Sequence, residues 1–501
     1  MDTLPSSVDY SEPMGVIPAG TENYNVTCYA VNGASFTAGQ QIIVDLNNVG
    51  YLDPASLSIR YKLALGMPAT VAGGTAGYSY SVPGCPVYTP ILRLDTLFNS
   101  NVVESVNNYN SVATALSNLE MSVSDKMGQQ SALGYIAQAW IGANGAVCAP
   151  TLDFSTTNES TDGLTIVAGC TTLAGNLLAT TATFALAAPL PCLLSNAEKL
   201  VPLNGTNIRL QFTLDTLLNV CPLAKTPISN ATYIGYNNAG VAVDALTGTV
   251  LGTDPVASQF NAYTITNFEV VYNQIQFPPH VERQILAMPK LRIKTSSYAT
   301  GLQTLAAGVS GTVNLVYNLR YASIKALFLL MGISSTGTGH VNNYPNKLLE
   351  SIDITSGNGS YNFQCNGVYY PQNPLSTANN KSGVLTELRR AMIDLYANNM
   401  NSMAIDSIEF SKTDAGISAA ATANVASQTV TKVGKFYVGV NTQKMSDKAV
   451  FSGISSQNSP ITAIINIGST ATMYGYSPIL MCYYDAIIEI DTVTKQVNYI
   501  F

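Results

Sequence analysis

Charge is what this chain has least of. Asp, Glu, Lys and Arg make up 11% of its 501 residues, against roughly 25% in an average soluble domain. The net charge of −7 argues against nucleic acid as a partner over the whole surface, because phosphate binding needs accumulated Lys and Arg. Histidine is nearly absent. His280 lies in a Pro-rich stretch and His340 in a Gly-Thr loop, and neither adjoins a nucleophile in a recognisable triad motif. The eight cysteines (28, 85, 148, 170, 192, 221, 365 and 482) contain no Cys-x-x-Cys and have no close His, which excludes a zinc site of standard spacing. Gly332 to Gly339 lacks a Gly-Lys-Ser/Thr ending and so is no phosphate loop. The longest apolar segment, Leu173 to Pro191, is broken by Asn176, Thr180, Thr181, Thr183 and Pro189 and falls short of a membrane span. Met1 to Asp9 is polar and acidic, without the basic start and apolar stretch of a signal peptide. Synthesis inside the cell with reduced thiols is the expectation.

Two acidic pairs, Glu350 with Asp353 and Asp485 with Glu489, have the residue types that flank a sugar bond in glycosidases. Their ordinary reading is as solvated strand charges. No catalytic, cofactor-binding or metal-binding residue is therefore assigned, no cofactor is expected, and the chain is read as not an enzyme. Asn25, Asn158, Asn204, Asn230, Asn358 and Asn380 each open an Asn-x-Ser/Thr sequon. Without a secretory signal these are read as coincidences of an Asn-rich composition.

What the chain does have is abundant Asn, Ser, Thr, Gly and Tyr, and a repeat. A polar, uncharged surface suits a protein that presses against copies of itself, since interface centres are depleted in charge and enriched in Tyr; it equally suits an all-β protein rich in polar loops. Asn48-Val49-Gly50-Tyr51 returns as Asn318-Leu319-Arg320-Tyr321, 270 residues later. Ile42, Val44 and Leu46 precede the first copy, and Val313, Leu315 and Tyr317 precede the second. Leu57 to Leu65 follows the first in strict alternation, the period of a half-buried strand. Ile324 to Met331 follows the second and is apolar on both faces apart from Lys325, as in a strand buried on two sides. Val112, Leu116, Leu119, Val123 and Met127 predict a helix ending at Gly128, and Leu385, Leu388, Met392 and Leu395 predict another after Ser382. They begin 61 and 64 residues after Tyr51 and Tyr321, so the repeat extends beyond the turn.

Further strands are expected at 24–31, 91–98, 208–214, 265–275, 349–354, 361–369, 405–410, 435–440, 461–467 and 479–490. Many short strands with one short helix per half point to an all-β chain of two tandem antiparallel sandwiches. The expected domains are an N-terminal arm at 1–20, a first sandwich at 21–275 with an insertion at 142–191, a Pro-rich linker at 276–289, and a second sandwich at 290–501. Lys290, Arg292 and Lys294 alternate with Leu291 and Ile293. They form either a charged strand face that discourages edge pairing or a contact for an enclosed genome or an acidic neighbour.

Tyr51-Leu52-Asp53-Pro54-Ala55-Ser56-Leu57 before a strand, Leu193 to Leu214 with its Leu-Val-Pro-Leu segment, and the tandem plan resemble the double jelly-roll major capsid proteins of icosahedral DNA viruses, most closely those of polinton-like viruses and virophages. The resemblance implies two jelly rolls per subunit, a homotrimer forming a pseudo-hexameric capsomer, and a virion shell tiled by it. Neighbouring capsomers, a penton protein and cement proteins would be its partners. Genome contact and an internal membrane stay open. The alternative is a carbohydrate-binding jelly-roll surface protein, a lectin or adhesin, for which the single tryptophan, Trp140, is poor support; a carbohydrate hydrolase is a third reading.

Overall fold

The alternation at 208–214 becomes a strand with Ile208, Leu210, Phe212 and Leu214 buried and the residues between them half-buried. The computed structural model describes residues 17–66, 85–134, 181–220, 262–333, 351–378, 381–392, 434–444, 451–468 and 475–501, with a few short pieces between them. Eight principal strands precede residue 277: β1 (Glu22–Tyr29), β2 (Gln41–Asp45), β3 (Ser58–Gly66), β4 (Ile91–Phe98), β5 (Asn101–Asn107), β6 (Thr181–Pro189), β7 (Ile208–Leu214) and β8 (Ala262–Gln276). One antiparallel sheet has the order β2-β7-β4-β5 and the other β1-β8-β3-β6. Short strands at Ser35–Thr37 and Tyr51–Leu52 also pair with β8. Phe212 from one sheet meets Phe268 from the other, ring centroids 4.9 Å apart.

The same plan follows again. β9 (Lys290–Leu302), β10 (Thr312–Tyr317), β11 (Ile324–Ile333), β12 (Ser360–Cys365), β13 (Val368–Ser376), β14 (Tyr437–Asn441), β15 (Ile461–Asn466) and β16 (Tyr476–Asp491) form sheets of order β10-β15-β12-β13 and β9-β16-β11-β14. A last strand, β17 (Val497–Ile500), pairs with β16. β9 to β16 thus occupy the places of β1 to β8 in turn. Helix α1 (Tyr109–Glu120) follows β5 as a later helix, Ser382–Ala391, follows β13. The repeated turn carries the chain from one sheet to the other in both halves. Among the described residues no strand pairs across the halves. These are two tandem antiparallel jelly rolls.

Several expectations need correction. The stripe from Val112 to Met127 is not one helix: α1 stops before Met121, and Ser122 caps a second helix, α2 (Val123–Gly128), through a capping box with Asp125. Nor is α1 amphipathic in its setting. Asn110, Thr114, Ser117 and Asn118 are buried with its apolar residues, and Asn118 donates to the hydroxyl of Tyr437 in the other half. With Gln130–Leu133 and Leu217–Val220 also helical, the first half has more than the one short helix expected. The insertion read over 142–191 reaches too far. Its last residues form β6, paired along the whole of β3, with Leu186 and Ala188 buried; its four alanines and a proline weaken the β-propensity signal. Residues 142–180 lie outside the described residues.

The run 361–369 is not one strand but the hairpin β12–β13, turned at Asn366-Gly367, both with positive φ, the Asn-Gly signal of a two-residue turn. Of the strand expected at 349–354, the described part has only an isolated bridge at Ser351 and then a turn. The linker 276–289 contains helix α3 (Pro279–Leu286), started by Pro279, where a missing N–H costs nothing. The second-half helix, α4 (Ser382–Ala391), lies over β11 and β14. Gly439 admits it: a Cβ there would stand 2.7 Å from Leu388 Cδ1.

Candidate assembly surfaces

The residues singled out for chemistry are mostly engaged with each other. Lys290 and Arg292 both reach Glu489 on β16, at 2.6 and 2.8 Å, and their hydrogen bonds hold that carboxylate below its usual range. Lys294 pairs with Glu198 at 3.2 Å. All three cations of the stripe are thus paired with carboxylates, two of them sharing Glu489, which fits a charged strand face rather than a phosphate surface. Asp353 and Asp485 are not solvated strand charges. Both are fully buried. Asp485 meets Lys325 at 2.7 Å and accepts from Ser323 Oγ. Asp353 meets Lys381 at 2.7 Å and accepts from Thr355 and the Tyr361 hydroxyl, which pins the turn before β12. Neither is presented to a cleft as glycosidic chemistry requires, and Glu350 lies outside the described residues.

His280 is exposed on α3, while His340 and Trp140 lie outside the described residues. Among the described residues no group of His, Cys, Asp or Glu is placed to hold a metal. Cys28, Cys192, Cys365 and Cys482 are free thiols. Burial pushes Cys192 up to about 12, so it stays protonated and unreactive at neutral pH. Of the sequons, Asn25 and Asn358 are exposed. Asn204 instead holds Gly50 N–H and Glu282, and the other three fall outside the described residues.

The surfaces that stand out are flanks. The first half lays β5 and residues 193–198 against β9 of the second. Thr295 Oγ1 donates to Leu193 O at 2.6 Å, Asn196 Nδ2 to Ser296 O at 3.0 Å, and Thr300 Oγ1 to Asn107 O at 2.7 Å. Thr295, Ser297 and Ala299 are in consequence 1%, 0% and 3% exposed. β1 holds the matching place in the first half, beside β8 as β9 is beside β16, and its Glu22, Asn23, Tyr24, Asn25 and Tyr29 are exposed among the described residues. Tyr29 at its end and Val31 just beyond it are 63% and 59% exposed. On the opposite flank, β13 takes the place of β5. It leaves Val368 and Tyr369 51% and 46% exposed. The sequence marks none of this, because a tyrosine in an edge strand looks the same whether covered or bare.

No protein-family model matches the chain, and no curated protein matches it in sequence. Solved structures do. PBCV-1 VP54 fitted into a reconstruction of the virophage Sputnik superposes with a TM-score of 0.50 at 11% identity, over 97% of this chain and 98% of that one. A chain of the Sputnik virophage structure gives 0.50 at 12%, over 100% and 92%, and the Faustovirus major capsid protein 0.51 at 8%, over 95% and 92%. At such identities the likeness is one of fold, and the chain has the double jelly-roll fold over essentially its whole length.

Proposed function

We propose that this chain is the major capsid protein of an icosahedral virus, a structural protein without enzymatic activity whose copies associate into capsomers that tile the shell. One observation carries the reading: the flank of the second half that the first half covers has a twin on the first half that exposes Tyr24, Tyr29 and Val31 among the described residues. Repeating the internal contact between copies sets the β13 flank of one against the β1 flank of the next. Such a contact is heterologous, and it closes into a ring when the rotation allows. With two jelly rolls per copy, three copies give the pseudo-hexameric trimer that the resemblance implies. The fold shared with the Faustovirus major capsid protein supports the same reading. Its place is then the virion, among neighbouring capsomers, a penton protein and cement proteins. Size-exclusion chromatography with light scattering, followed by negative-stain images, tests it. A mass three times that of the chain and hexagonal particles are expected; a monomer at micromolar concentration overturns the proposal and favours the carbohydrate-binding alternative.

A further inference from the structure

Inside the seam between the halves lies a carboxylate that no cation among the described residues accompanies. Glu104 of β5 is 2% exposed. Its Oε2 accepts from Thr96 Oγ1 at 2.8 Å, and its Oε1 accepts from Leu193 N at 2.8 Å and from Ser297 Oγ of β9. Those donors come from three segments, the last in the other half. The cations on the flanking strands are held elsewhere, Arg93 by Asp95 and Lys294 by Glu198. The other titratable groups that face Glu104 are Asp95, Cys192, Tyr109, Tyr321, Tyr484 and Tyr499, all of which are acids. Buried Asp485 and Asp353 each meet a lysine; Glu104 meets none among the described residues.

We propose that Glu104 is a proton-operated latch between the two jelly rolls, whose neutral carboxyl holds the seam closed and whose ionisation loosens it. In the neutral state its O–H donates to either the Ser297 or the Thr96 hydroxyl, which rotate to accept. In the ionised state a full charge sits in a dry seam with neutral donors alone to stabilise it. Burial pushes the carboxyl above its ordinary range, Asp95 adds to the push, and the hydrogen bonds from Ser297, Leu193 and Thr96 offset part of it. The sign follows. A carboxyl whose pKa is raised by folding contributes stability that is complete below its unfolded value, and loses it as pH rises through the folded value.

The test compares the purified full chain with Glu104→Gln, whose amide keeps the shape and the acceptor oxygen but does not titrate. Between about pH 5 and about pH 9, the wild-type melting temperature should fall relative to Glu104→Gln by at least about 2 °C, the two converging at the acid end. Amide exchange over Cys192–Asn196, read against Glu104→Gln at each pH, should accelerate over the same range. Ser297→Ala removes a donor to the ionised form, so the fall should continue to a higher pH. Parallel profiles for wild type and Glu104→Gln overturn the latch, as does a wild type that gains relative stability with rising pH. Should Glu104→Gln not fold, Ser297→Ala decides: a profile ending at the wild-type pH overturns it.

Discussion

Lys325 is the one charged residue of β11, and the sequence already sets it apart from the apolar residues around it. What the sequence leaves out is its partner, Asp485, which is brought to 2.7 Å from 160 residues away. Removing the cation alone leaves a buried charge facing a serine hydroxyl and the Ser452 N–H. Lys325→Met should therefore cost about 3–5 kcal/mol. Arg390→Ala breaks an i,i+3 pair with Glu387 whose arginine side chain is 63% exposed and should cost at most about 1 kcal/mol. Urea unfolding midpoints measure both, and equal losses would show that Lys325 is better solvated than its burial implies. The repeat is less literal at this scale than its letters suggest. Gly50 has a positive φ, and a Cβ there would meet Ile275 O at 2.6 Å, whereas its counterpart Arg320 carries a side chain in ordinary backbone.

At the scale of elements, alternation located the strands that have one wetter face, β3 and β7 among them, because burial of every second residue writes itself into the sequence. It failed where packing differs from that picture. α1 is wrapped on all sides, so its polar residues mark contacts with Asp215 and Tyr437 rather than solvent. β6 is built of small residues. The tight corner ahead of β12 was also illegible, since it depends on two segments far apart: a Cβ on Gly359 would come within 1.9 Å of Asn466 O at the end of β15. Gly359→Ala must push backbone against backbone and should cost about 3 kcal/mol. Gly383, in the first turn of α4, has open space around it, and Gly383→Ala should stabilise by about 0.5–1 kcal/mol. Thermal melts of the pair give the comparison; if both are neutral, the corner yields more easily than its geometry allows.

For the whole molecule, the tandem plan was legible and the flanks were not, because the repeat shows that two similar units exist but not which sides of them meet. The low charge of the chain gains its meaning here. A bare flank carrying Tyr24, Tyr29 and Val31 offers apolar area and few ions, so an interface built on it depends little on screening. In about 1 M salt, where charges interact over only about 3 Å, the proposed trimer should keep its mass in light scattering. Val31→Asp places a carboxylate where the neighbouring copy is to sit and, since Val31 is open in the single chain, leaves the cores untouched. It should yield a monomer whose circular dichroism and melting match those of a chain dissociated by dilution. Glu104 lies in the internal seam, so Glu104→Gln should leave the mass unchanged. A Val31→Asp protein that still forms trimers would move the interface off β1, while one that fails to fold would mean that β1 belongs to the core of its own jelly roll.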